Sequence, residues 1–186
     1  MKIHLLRHGE TNWNRNKRLQ GQRDVPINDT GKRQIEQFCQ QTRQDYTLIV
    51  TSPLRRAVES AEICSRWFAL PSVVEPAFAE RTFGDLEGMC KDDICRKFLI
   101  EDVEALEATH SVESRTDFQA RLELGLERLR SHYPSERILL VTHGSVIRLL
   151  LDRMSPNYRG PCAGKTRLSP SFGVVSNGCE VVMDIS

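Results

Sequence analysis

Apolar residues along this chain follow two spacings, short unbroken runs and helical repeats, and the two alternate. Runs at residues 2–6, 46–51 and 138–142 lack strict alternation, which predicts strands covered on both faces of a sheet. Each stops abruptly: the first at Arg7-His8-Gly9, the second at Ser52-Pro53, the third at His143-Gly144. Residues 71–76 fit a further short strand. Residues 174–175 and 180–185, on either side of Ser176-Asn177-Gly178, fit a closing hairpin or an edge strand.

Between the runs the repeat is helical. Ile35, Phe38, Cys39 and Thr42 stand at i, i+3, i+4 and i+7 and predict a helix beginning near residues 28–30. Leu54, Ala57, Val58, Ala61 and Phe68 form the expected buried stripe of a second helix, with Ser52 as its cap and Pro53 in its first turn. Residues 91–106 read as one amphipathic helix through Ile94, Phe98, Asp102, Val103 and Leu106, its charges on a solvated face. Ser114 and Asp117 have capping-box spacing ahead of a helix carrying Phe118, Leu122, Gly125, Leu126 and Leu129, and a last helix runs from Ser145 to about residue 153. This alternation predicts an α/β fold with a mostly parallel sheet. Residues 156–170 are rich in proline, glycine and basic residues without periodicity and read as a long loop.

Composition narrows the partners. At 186 residues the chain fits one domain spanning 1–186, with no repeat and no interdomain linker. Lysine and arginine (26) balance aspartate and glutamate (25), so no overall field draws the protein to nucleic acid or to an anionic membrane. The amino terminus leads straight into a strand and no apolar stretch is long enough to span a bilayer, so a cytoplasmic location is expected. The six cysteines show no zinc spacing and are expected as reduced thiols, Cys39 and Cys64 acting as small apolar helix residues.

The strand ends carry the candidate chemistry. In a mostly parallel sheet they share one edge, so His8, Arg7, His143 and an arginine of the second helix converge there. Arg56 is the pocket candidate, because Arg55 has Glu59 and Glu62 along an acidic, solvated row. Gly9 is expected to let the backbone turn sharply and a ligand approach it. His4 reads as structural, and His110 and His132 as surface residues. Two histidines among arginines make a poor metal site and a good phosphoryl site. The stretch from Glu80 to Gly88 mixes acids, glycines and one aromatic and reads as a loop able to present a carboxylate at a pocket rim.

Five segments in order then resemble the histidine phosphatase superfamily, in its phosphoglycerate-mutase-like branch. They are Arg7-His8-Gly9-Glu10-Thr11 with Trp13-Asn14; Leu19-Gln20-Gly21 with Asp24, Pro26 and Gly31; Thr51-Ser52-Pro53-Leu54 with Arg56-Ala57; Glu80 with Phe83-Gly84 and Glu87-Gly88; and Val141-Thr142-His143-Gly144. The family often has a second glycine where Ser145 stands, and residues 89–109 match least. The resemblance implies a three-layer α/β/α sandwich of phosphoglycerate-mutase-like type. It implies that His8 becomes phosphohistidine, that Arg7, Arg56 and His143 hold the phosphoryl oxygens, and that Glu80 protonates the leaving group. Asn14, Gln20, Gly21 and the main chain of Gly144 and Ser145 are expected to line the phosphate side. No metal and no cofactor is expected. To attack phosphorus, His8 must be neutral, with its other N–H held by an acceptor such as a main-chain carbonyl of the following turn. The expected activity is hydrolysis of a small phosphomonoester; a mutase-type phosphotransferase and a non-catalytic module binding a phosphorylated ligand are the alternatives.

Overall fold

The computed structural model describes residues 1–42, 45–106, 111–154, 177–178 and 180–184. Its strands are β1 (Lys2–Arg7), β2 (Leu48–Thr51), β3 (Ser72–Val74), β4 (Arg137–Thr142) and β5 (Glu180–Asp184). Its helices are α1 (Asn12–Arg15), α2 (Asp29–Gln41), α3 (Arg55–Phe68), α4 (Lys91–Phe98), α5 (Arg115–His132) and α6 (Gly144–Met154). The sheet order is β3-β2-β4-β1-β5, with the first four strands parallel and β5 antiparallel against β1. The expected edge strand is therefore present. Residues 174–175, the 156–170 loop and His110 lie outside the described residues.

Side chains alternate through the sheet into two cores. Ile3, Leu5, Val50, Ile138 and Leu140 face Phe118, Leu122 and Leu129 of α5 and Val146 and Ile147 of α6. Leu6, Ile49, Leu139 and Val141 face Ile35 and Phe38 of α2 and Ala57 and Ala61 of α3. The apolar residues of β1, β2 and β4 are thus all buried, divided between the two faces. His4 is buried edge-on against Tyr46, with ring centroids 5.1 Å apart, a structural histidine as expected. His132 is exposed. The Cys39 and Cys64 thiols are buried where α2 packs on α3, their sulfurs 3.7 Å apart.

Two expectations are corrected and the role of one glycine is made specific. Residues 91–106 do not form one helix: α4 stops at Phe98, Leu99 is left-handed at φ 54°, and a separate 3-10 turn covers Val103–Ala105. The helix ends on Leu99, with the Ile100 N–H returning to the Cys95 carbonyl at 3.1 Å, and the buried Arg81 guanidinium holds the chain beyond it. Its fork donates to the main-chain carbonyls of Glu104, Leu106 and Glu113 at 3.0, 2.6 and 2.9 Å. The apolar spacing instead serves a third, smaller core in which Ile94, Val103, Leu106 and Val112 pack on Leu19, Phe83 and Leu86.

The second helix starts later than its cap signal predicted. α3 begins at Arg55 with Leu54 as the flanking residue, and the buried stripe is Arg56, Ala57, Ser60, Ala61 and Cys64, with Leu54 and Val58 half-buried. Ser52 is used elsewhere, as described below. Gly9 has no left-handed backbone. A Cβ there would stand 2.5 Å from the Gly31 carbonyl oxygen, so its small size serves contact between the β1 end and the start of α2.

Candidate active site

Strand register assembles the centre. Arg7 pairs with Thr142 across β1 and β4, and the His8 N–H donates to the Thr142 carbonyl at 3.0 Å, which sets the next residues, His8 and His143, side by side. Their ring centroids are 5.2 Å apart. Thr51 pairs with Val141 across β2 and β4, and Ser52 N–H donates to Val141. That places the Ser52 hydroxyl 2.6 Å from His143 Nε2.

Each buried imidazole has one nitrogen committed. His8 Nδ1 lies 2.7 Å from the Gly9 carbonyl, an acceptor only, so the proton is on Nδ1 and Nε2 carries the lone pair. Burial holds His8 well below the usual histidine range, with Arg56 and Arg7 adding to the fall against the Gly9 hydrogen bond. His143 is held low by burial, by Arg56, His8 and Arg7, and its Nδ1 has no hydrogen-bond partner among the described residues. Both rings are neutral at pH 7.

The arginines are placed by different means. Arg7 ends β1 and is buried; burial lowers its guanidinium while Glu80 opposes that change. Arg56, 1% exposed, donates to the carbonyls of Arg23 and Gly21 at 2.8 and 2.7 Å. Its Nε has no partner among the described residues. Burial lowers it to about 10, so it remains a cation at neutral pH. Arg55 is instead paired with Glu59 at 2.7 Å, as expected. Ser60 completes the turn, accepting from Gly9 N–H at 3.1 Å and donating to the Arg56 carbonyl at 2.7 Å.

Glu80 faces this group from the loop after β3. Its Oε1 accepts from its neighbour's main chain, Arg81 N–H, at 3.0 Å, and Oε2 from Ser145 N–H at 3.4 Å. Arg121 fixes the loop beneath, donating to the carbonyls of Ala77, Ala79 and Glu80 while gripping the Glu113 carboxylate. A cavity of about 250 Å³ opens here, lined by Arg7, Glu80, Gly144 and Ser145 together with Lys91, Asp102, Glu104 and Arg148.

Three expected lining residues have mainly internal bonds. Asn14 Oδ1 accepts from Thr11 N–H at 3.1 Å, and Gln20 Oε1 accepts from the Thr11 hydroxyl at 3.0 Å. Gly21, at φ 50°, offers its carbonyl to Arg56, and a Cβ there would run into the Glu87 carboxylate. Sequence reasoning missed Ser52 as the partner of His143, and Asn177, whose amide donates to the His8 carbonyl at 2.8 Å. It also assigned the 91–106 charges to solvent, whereas Lys91 and Glu104 line the cavity. The one local signal for Asn177 was its Asn-Gly turn; periodicity carried none for the others.

The histidine phosphatase superfamily (branch 1) family model matches residues 3–159. The chain belongs to this superfamily. This histidine phosphatase is 38% identical over 152 residues to the uncharacterized phosphatase PhoE of Bacillus subtilis, covering 81% of this chain and 76% of that one. It is 31% identical over 161 residues to a probable phosphoglycerate mutase, GpmB, of Yersinia pestis, covering 83% and 74%. Among solved structures it resembles a putative α-ribazole-5′-P phosphatase from Escherichia coli with a TM-score of 0.78 and 26% identity, over 100% of this chain and 91% of that one. A mycobacterial glucosyl-3-phosphoglycerate phosphatase complexed with VO3 has a TM-score of 0.77 and 26% identity, over 98% and 90%. Its fold is thus of the phosphoglycerate-mutase-like type.

Proposed function

We propose that this histidine phosphatase hydrolyses the phosphomonoester of a small metabolite through a phosphohistidine on His8, as one domain and with no metal in the step. The observation that carries the reading is the His8 tautomer: Nδ1 bound to the Gly9 carbonyl and Nε2 left as nucleophile, in a ring held neutral by burial and two cations. Nε2 attacks phosphorus and the bond to the leaving oxygen breaks. Glu80 gives its proton to that oxygen, then takes one from the water that attacks the phosphohistidine and frees His8. Arg7 and Arg56 meet the charge on the transferred oxygens. The tautomer in which Ser52 donates to His143 Nε2 puts the His143 proton on Nδ1, a further donor to those oxygens.

The test is rapid quench with a ³²P-labelled phosphomonoester in the presence of chelator. An acid-labile, alkali-stable label on wild type, absent from His8→Ala, together with release of inorganic phosphate is expected. Equal p-nitrophenyl phosphate hydrolysis by wild type and His8→Ala would overturn the mechanism in favour of a binding module. Efficient isomerisation of 3-phosphoglycerate with catalytic 2,3-bisphosphoglycerate and little phosphate release would favour the mutase.

A further inference from the structure

The cavity contains a second carboxyl that the proposed phosphoryl transfer does not use. Glu104, on the 3-10 turn Val103–Ala105, sets Oε1 2.5 Å from the Ser145 hydroxyl, while the Ser145 main-chain N–H is aimed at Glu80 Oε2. One serine at the start of α6 therefore addresses two carboxyls, one with each of its donors. Glu104 Oε2 faces Arg81 Nη1 at 3.8 Å. The other titratable groups lining this cavity are Lys91, Asp92 and Cys95 from α4, Arg148 from α6, Arg7 from β1, and Glu101 and Asp102 on the Glu104 segment itself, Asp102 being paired to Arg148 at 2.9 Å. On the opposite side, in an adjoining cavity of about 220 Å³, Arg115 and Asp152 pair with each other.

We propose that Glu80 and Glu104 work as a carboxyl pair bridged by Ser145, with Glu104 taking up and releasing a proton as Glu80 changes charge during turnover. This rests on the reading of Glu80 as the proton-transferring group. Glu104 touches no reacting atom and is a positioning residue that acts through Glu80. Two carboxyls in one partly enclosed site resist being ionised together. Burial and the Glu80 charge both raise the Glu104 carboxyl, against the Ser145 hydrogen bond, Arg148 and Arg81. When Glu80 gives its proton to the leaving alkoxide, the Glu104 carboxylate takes one from solvent. When the attacking water returns a proton to Glu80, Glu104 releases its own to solvent. The pair thus passes through the cycle without holding two negative charges.

The device matters when the leaving group needs its proton. The test compares kcat across pH 5 to 9 for glycerol 2-phosphate, whose alkoxide must be protonated, and for p-nitrophenyl phosphate, whose phenolate need not be. In Glu104→Gln the alkaline limb of the glycerol phosphate profile is expected to move down by about one pH unit, so the alkyl-to-aryl kcat ratio at fixed pH falls about tenfold. Glu104→Asp, which restores a carboxyl, should recover much of the ratio. Ser145→Ala keeps both carboxyls and removes the hydroxyl between them; it should move the limb in the same direction by less, and it serves as the test should Glu104→Gln fail to fold. Superimposable profiles, or equal losses on both substrates, would overturn the pairing. Glu80→Gln separates this from the underlying reading: if it leaves the alkyl-to-aryl ratio intact, Glu80 is not the acid, a result obtained without touching Glu104.

Discussion

His8 and His143 are the same residue type at neighbouring strand ends, and one contact each divides their work. A carbonyl on Nδ1 leaves the His8 lone pair on Nε2, the nucleophile in the proposed mechanism, while the Ser52 hydroxyl takes up Nε2 of His143 and leaves its Nδ1 for the proposed donor role. Arg56 shows the same dependence on partners. Two carbonyls occupy its fork while its Nε has no partner among the described residues, an arrangement that a lysine ammonium cannot reproduce. Arg56→Lys is therefore expected to lower kcat/KM by about 10²- to 10³-fold, the usual cost of a lost transition-state donor. Steady-state kinetics on p-nitrophenyl phosphate will check this, and a loss under threefold would show that charge alone suffices.

Between elements, the closest control on the site is contact of glycine with glycine. The β1 end and the start of α2 meet through Gly9 and Gly31, where an added Cβ would lie 2.5 Å from one carbonyl and 2.3 Å from another. Gly9→Ala should cost about 1–3 kcal/mol, as overpacking does. At Gly144 a Cβ would be 3.6 Å from the Arg7 guanidinium, an ordinary contact, and Gly144→Ala should alter stability by less than about 1 kcal/mol. Urea unfolding of the two variants separates these cases. Both glycines stand in family-like motifs, yet their spacing does not reveal that one is packed against backbone and the other has room. In the same way the 91–106 segment carried a good helical repeat. The helix nevertheless ends at Leu99, and Arg81, ten residues before the segment, holds the separate turn that follows through the Glu104 and Leu106 carbonyls.

For the molecule as a whole, burying two neutral histidines links folding to pH. Unfolded histidine takes a proton near pH 6.5, whereas His8 and His143 in the fold resist it until well below that value. Their contribution is therefore complete above about pH 6.5 and is lost as the pH falls below it, at up to about 1.4 kcal/mol per unit for each ring. Glu104, raised by burial, contributes with the opposite sign. A comparison with His143→Gln isolates one ring: between pH 7 and 5.5 wild type should lose about 1 kcal/mol more than the variant. Parallel curves in urea unfolding would contradict the burial of a neutral His143.

The chain's own pattern was enough to specify alternating strands and helices, the two-sided cores, and the Arg-His-Gly and His-Gly strand ends, because apolar periodicity and turn chemistry are local properties. It also distinguished Arg56 from Arg55, since neighbouring helix positions point about 100° apart. Only the tertiary structure decided which nitrogen of each imidazole is committed, that Ser52 bonds to His143 instead of capping a helix, and that Glu104 turns into the cavity. Those outcomes depend on strand register and on buried arginines taking carbonyls from distant segments. Hydrogen bonds between residues tens of positions apart leave no period in the sequence that makes them.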